Sequence, residues 1–247
     1  MWIPRWLGEI YSRLFMEFES ELFTLSQAVE ALGIDKDRLT VALSKLHSKR
    51  LLTIFERSRP RIYRVLDPMT FVLFATDRVQ NAERIRQERY LPLVVGGLRE
   101  ASKRLRVCSF AVYGSVSRGT AKDNSDVDIL VVSPDLHGSM GRRIELLMSV
   151  EDSLEGELKW LREHGIHTGL SFHPLRPDEA ERFPSLFLDL TEDAVILFDE
   201  ERFLEMLLTE FKSILFRRGA VRVFIDSSRW YWDLKPDYRF GEAVELA

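Results

Sequence analysis

A single cysteine stands in 247 residues, so no disulfide framework forms within the chain. Cys108, inside the apolar run RVCSFAVY, reads as a small buried hydrophobe, which suits a reducing cytoplasm. Long hydrophobic runs are also lacking. No stretch approaches the roughly 18 apolar residues that a membrane span needs, and the opening MWIPRWLGEI has no uninterrupted apolar segment of the kind a signal peptide carries. A cytoplasmic chain without a membrane partner is expected. Nor is there an excess of positive charge: 35 Lys and Arg against 39 Asp and Glu give a net charge of -4, which excludes a uniformly basic nucleic-acid binder and leaves any basic patch to be sought locally. Repeats and low-complexity segments are missing too. What is present, 45% hydrophobic residues, suffices for a sizeable core in one large or two small domains.

Apolar residues recur at helical spacing from Ile10 to Phe18. A second helix follows in TLSQAVEALG, opened by Thr24 and closed by Gly33. In RLTVALSKLHSKRLL, the residues Leu39, Ala42, Leu43 and Leu46 share one face and leave Arg38, Lys45 and Lys49 largely outside it. LTIFERSRPRIYRVLD then reads as two short strands joined by a turn at Ser58 to Pro60. Three helices followed by a hairpin resemble a small winged helix-turn-helix domain over residues 1–67, which implies contacts with duplex DNA. Positive charge gathers there: Arg50 and Arg64 accompany Arg38, Lys45, Lys49, Arg57, Arg59 and Arg61, against Asp37 and Glu56. The last six are the candidate nucleic-acid contacts; a solvated face serving protein contacts is the competing reading.

Residues 68–104 read as a charged helical connector, broken near Leu91 and Pro92 because proline disfavours helical geometry in the residue before it. Over 105–200, strands in RVCSFAVY, DVDILVVS, IHTGLSFHPL and AVILF alternate with helical patterns at 141–163 and 177–183. This is an α/β (α+β) core with a mixed sheet. A last helix, 200–216, precedes an aromatic tail within 201–247, where Trp230, Tyr231, Trp232 and Tyr238 are expected to dock as hydrophobic anchors away from any site.

The chemistry concentrates in YGSVSRGTAKDNSDVDILVV, Tyr113 to Val132. On a strand, Asp126 and Asp128 share one face while Val127, Ile129 and Val131 share the other. Two neighbouring acids repel unless a cation lies between them, and Mg2+ accepts one or two protein carboxylates when substrate phosphates complete its shell. Gly114 and Gly119 remove side chains where backbone turns tightly, and Ser115 adds a hydroxyl beside amide N–H groups suited to a phosphate. A Walker A loop is excluded, since Thr120 and Ala121 stand where it needs Lys and Ser or Thr.

The set Gly114, Ser115, Gly119, Ser125, Asp126 and Asp128 resembles the signature of nucleotidyltransferases of the DNA polymerase beta superfamily, in its minimal form. The resemblance implies that Gly114 and Ser115 hold the triphosphate of a nucleoside triphosphate. It implies also that Asp126 and Asp128 bind Mg2+ for attack of a hydroxyl on the α-phosphorus, with a protein or an RNA among the acceptors. Arg118 and Lys122 flank the loop and are secondary candidates for neutralising phosphate. One part of the family pattern is missing: the third carboxylate usually comes from the next core strand, and HTGLSFHPL has none. Ser171 and His173 are expected on the face of the aspartate pair instead, with Asp178 and Glu179 out of reach. His164, His167 and His173 lack partners at zinc spacing. The readings are therefore an Mg2+-dependent nucleotidyltransferase or a DNA-binding regulator whose nucleotidyltransferase-like domain binds nucleotide without catalysis.

Overall fold

The computed structural model describes residues 3–226 and 229–236. Helix α1, Arg5–Phe18, buries Leu7, Ile10, Tyr11 and Leu14, the spacing of one helical face. Helix α2, Leu25–Leu32, opens with a capping box between Thr24 and Gln27 and ends at Gly33 with φ 61. Helix α3, Lys36–Ser48, is capped by the Asp35 carboxylate and buries Leu39, Ala42, Leu43 and Leu46. Strands β1, Leu52–Glu56, and β2, Ile62–Val65, pair as an antiparallel hairpin. These five elements share one apolar core.

Helix α4, Pro68–Ala75, follows, capped by Asp67. Irregular chain with two short turns of 3-10 helix leads to helix α5, Leu91–Arg104. Pro92 opens α5 rather than breaking a helix, because a first-turn residue needs no N–H partner.

The remaining chain runs β3 Ser109–Tyr113, α6 Gly114–Arg118, β4 Val127–Val132, α7 Met140–Asp152, α8 Glu155–Glu163, β5 Leu170–Leu175, α9 Pro177–Ala180, α10 Phe187–Asp193, β6 Val195–Asp199, α11 Phe203–Arg217, β7 Val221–Phe224 and β8 Trp230–Asp233. The helical pattern at 141–163 is thus two helices. At the break, Leu154 packs where a Cβ on Gly96 would lie, with Cδ2 only 2.8 Å from that position. The expected helix at 177–183 is a single turn, and the last helix begins at Phe203 after a short turn. The tail forms a hairpin, β7 with β8, that the pattern of aromatics did not announce.

Four strands form a mixed sheet in the order β5-β4-β3-β6, with β4 and β5 parallel and the other pairs antiparallel. Val127, Ile129 and Val131 join a core with α5, α7 and α8, while Ala111, Leu130 and Val132 pack beneath α10 and α11. Alternation along β4 explains the division.

Two ion clusters tie the N-terminal elements to this body. Arg64, 7% exposed, forms a bidentate pair with Glu157 of α8 at 2.6 and 2.7 Å and lies 3.6 Å over the Trp160 ring. Glu88, 3% exposed, accepts from His47 at 2.9 Å, from the Ile54 N–H at 2.8 Å, and pairs with Arg50 at 3.0 Å. Among the described residues, no helix is long and apolar enough to cross a membrane.

Candidate active site

The sheet places the end of β3 beside the start of β4, with Tyr113 opposite Asp128. There the chain must reverse into α6, and Gly114 does so at φ 72, a conformation open to glycine and strained for other residues. A second reason for glycine is spatial: a Cβ at this position would overlap Oδ2 of Asp128, with Cγ at 3.1 Å. The Asp128 carboxylate therefore rests against bare backbone.

Asp126 precedes the first residue of β4, and its Oδ1 accepts from the Gly169 N–H at 3.1 Å. Burial pushes the Asp128 carboxyl above its ordinary range, and the charge of Asp126 adds to the shift. Arg118 and a hydrogen bond from Ser171 oppose it. Two carboxylates in mutual repulsion present hard oxygen ligands that fit a divalent cation such as Mg2+. Among the described residues, no group of three His, Cys, Asp or Glu is placed to hold a metal.

Ser171 stands opposite Asp128 in the parallel ladder, and His173 opposite Leu130, so both lie along the Asp128 face as alternation predicts. Burial lowers the His173 pKa. Glu179 is held by Arg143 at 2.6 Å and Asp178 by Arg176 at 2.9 Å, and neither is among the charges that shift Asp128.

The loop is built from its own residues. Gly119 closes α6 at φ 75. The Ser125 hydroxyl accepts from the Lys122 N–H at 2.9 Å, so it shapes the turn. Ser115 makes no side-chain hydrogen bond among the described residues and is free to meet a ligand. Arg118 pairs with Asp193 at 2.8 Å and lies 4.7 Å over the Trp230 ring. That corrects one expectation: Trp230 belongs to the surroundings of the loop, and its Nε1 donates to Asp189 at 3.3 Å. Tyr238 lies outside the described residues.

Sequence reasoning also missed Glu151 of α7. A Cβ on Gly169 would lie 3.0 Å from Glu151 Oε1 and 3.6 Å from Asp126 Oδ1, so a further carboxylate stands beside Asp126. Burial raises its pKa first and Asp126 adds to the rise. No sequence spacing links positions 126 and 151, which meet only through packing of α7 on the sheet.

On the N-terminal elements, Arg38, Lys45, Arg57, Arg59 and Arg61 are exposed and Lys49 is partly so. Lys45 lies 5.3 Å over the Trp6 ring, and Arg57 approaches Glu88 at 3.6 Å. Arg64 is a correction to the basic patch: buried and paired with Glu157, it serves the junction to α8.

Residues 95–183 match the family model described as a nucleotidyltransferase domain. Among solved structures, a toxin-antitoxin with AMP-PNP is 17% identical with a TM-score of 0.33, covering 51% of this chain and 91% of that one. A mutant of the toxin-antitoxin MntA-HpeT is 16% identical with a TM-score of 0.33, covering 49% of this chain and 89% of that one. TrmBL2, an archaeal chromatin protein with a novel mode of DNA binding, is 13% identical with a TM-score of 0.25, covering 85% and 92%. No curated protein matches the chain.

Proposed function

We propose that this protein is an Mg2+-dependent nucleotidyltransferase that moves a nucleoside monophosphate from a nucleoside triphosphate to a hydroxyl acceptor, a protein or an RNA being among the classes it could serve. The single observation that carries the reading is the Asp128 carboxylate seated against bare Gly114 beside Asp126, within the residues that match the nucleotidyltransferase model. Asp126 and Asp128 would hold Mg2+. Bound there, the ion neutralises the triphosphate and the charge that develops on the leaving pyrophosphate. Gly114 lets phosphate approach the backbone, and the Ser115 hydroxyl and Arg118 guanidinium bind and orient the triphosphate. Ser171 fixes the Asp128 carboxylate by donating to it. The acceptor hydroxyl then attacks the α-phosphorus and releases its proton to solvent, the bond from the α-phosphorus to the bridging oxygen breaks, and pyrophosphate departs.

The four units of the chain, 1–67, 68–104, 105–200 and 201–247, give this centre a winged helix-turn-helix partner. Its α3 and hairpin offer Arg38, Lys45, Lys49, Arg57, Arg59 and Arg61 to duplex DNA phosphates. A second reading is favoured by the hydroxyl of Ser171 where the family places a carboxylate: a DNA-binding regulator that binds nucleotide and transfers nothing.

Incubation with labelled nucleoside triphosphates, Mg2+ and extract of its own cell separates the two. Label that appears on a macromolecule with the wild type and disappears with the Asp126→Asn, Asp128→Asn double variant supports transfer. Tight nucleotide binding without label moves the protein to the regulator reading.

A further inference from the structure

The chain between α4 and α5, outside the residues that match the nucleotidyltransferase model, is clamped along the candidate loop. Gln87 Nε2 donates to Ala121 O at 2.8 Å, and the Ala121 N–H donates back to Gln87 Oε1 at 3.0 Å. Arg89 pairs with Asp123 at 2.7 Å, and the Tyr90 hydroxyl donates to Lys122 O at 3.1 Å. The stem of Arg86 crosses Gly119 so closely that a Cβ there would lie 3.2 Å from both Arg86 Cβ and Cδ. Ile85, 1% exposed, anchors the same segment in the core. The segment is thereby held as a wall of the site.

Beside that wall opens a cleft of about 350 Å³ whose charged lining is Glu83, Arg84, Arg86, Arg118, Glu192 and Asp193. Two of its three acids are engaged, Glu192 with Lys212 at 2.8 Å and Asp193 with Arg118 at 2.8 Å and Arg222 at 3.2 Å, while Glu83 is exposed at the rim. The guanidinium groups of Arg84 and Arg86 have no ion-pair or hydrogen-bond partner among the described residues, and both residues are exposed. Arg118 links the cleft to the aspartates, since its charge also acts on Asp128. A planar guanidinium with free donors matches phosphate oxygens in a way that a lysine does not, and the volume suits a small ligand.

We infer that Arg84 and Arg86, presented by the clamped segment 83–90, form with Arg118 a subsite for the β- and γ-phosphates of the nucleoside triphosphate. The inference rests on the nucleotidyltransferase reading and adds to it two residues outside the matched domain. The tail of the nucleotide would run from the Asp126 and Asp128 pair past Arg118 into the cleft, so that the arginines discriminate triphosphate from monophosphate. A nucleic-acid phosphodiester offers the same chemistry from another source, and the experiment separates them.

Calorimetry on the full chain in Mg2+ would compare inorganic tripolyphosphate, a nucleoside triphosphate, a nucleoside monophosphate and a short single-stranded RNA. The Arg84→Ala, Arg86→Ala variant is expected to bind tripolyphosphate and the triphosphate at least about tenfold more weakly, as removal of charge-assisted hydrogen bonds implies, with monophosphate binding unchanged. Arg84→Lys, Arg86→Lys should recover only part of the loss. Undiminished tripolyphosphate binding by the alanine variant, or no tripolyphosphate binding by the wild type, overturns the inference. Loss of RNA binding alone also overturns it, by assigning the arginines to an acceptor. The Asp126→Asn, Asp128→Asn variant keeps the two levels apart: if it loses Mg-nucleotide binding while the arginine variant does not, only the subsite falls. If neither variant loses binding, the nucleotidyltransferase reading falls as well.

Discussion

The Asp128 carboxylate fills the space beside Gly114 that the side chain of any other residue at position 114 would need. Gly114→Ala should therefore displace Asp128 as well as strain the turn at φ 72. A left-handed conformation costs a non-glycine residue about 1–2 kcal/mol, and the overlap adds to it. Urea denaturation should show a loss of about 2 kcal/mol or more, accompanied by loss of Mg-nucleotide binding. An alanine variant of unchanged stability would refute the packing described for this turn.

The Asp128 carboxyl sits above its ordinary range through burial and the nearby charge of Asp126. Between the ordinary and the raised pKa the folded form holds more protons than the unfolded form, so stability declines as pH rises through that window. Asp128→Asn removes the repelling charge. It is expected to unfold at a temperature equal to or above that of the wild type at neutral pH, while losing Mg2+-dependent transfer. Thermal melts with and without Mg2+ test the pairing of these effects: Mg2+ should raise the wild-type midpoint and leave the variant's where it was.

Glu88 behaves in the opposite sense. Burial alone would raise its pKa, but hydrogen bonds from His47 and Ile54 N–H, and the charges of His47 and Arg50, bring it down to about 2. Its stabilising contribution is present above the ordinary carboxylate pKa and is lost as pH falls through about 2. Glu88→Gln leaves Arg50, His47 and the Ile54 N–H facing an uncharged group. The expected loss is about 3 kcal/mol at pH near 7, the scale for breaking a buried pair, and the gap between variant and wild type should shrink under strong acid. Denaturation at the two pH values measures it; a constant gap would argue against an ionised Glu88.

Arg59 and Arg61 are exposed beside the hairpin turn, whereas Arg64 is buried against Glu157 and Trp160. Arg59→Ala with Arg61→Ala should weaken duplex DNA binding uniformly across sequences and flatten its salt dependence by about one unit of slope for each phosphate no longer neutralised. Arg64→Ala should instead lower stability, because the ion pair with Glu157 and the packing on the Trp160 ring both disappear. Gel-shift titrations at several salt concentrations and a melt of each variant would separate the roles. Failure of the intact chain to bind any duplex at low salt would assign this face to protein contacts.

Much of this was legible locally. The cap at Thr24, the turn glycines at 114 and 119 and the alternation through Val127 to Val132 are short-range signals, because capping, positive φ and strand pleat depend on a few neighbouring residues. They placed the loop, the two aspartates and the mixed sheet, and they put Ser171 on the Asp128 face. Interactions between distant parts of the chain left no such trace. Glu151 meets Asp126 only because α7 packs on the sheet, Arg86 crosses Gly119 because the segment before α5 is clamped to the loop, and Arg64 is withdrawn from the basic patch by a partner 93 positions away. By itself the sequence determined the candidate loop, its aspartate pair and the local geometry that presents them. Only the tertiary structure decided which charges remain free to meet a ligand, since pairing and burial depend on residues that the chain brings together from far apart.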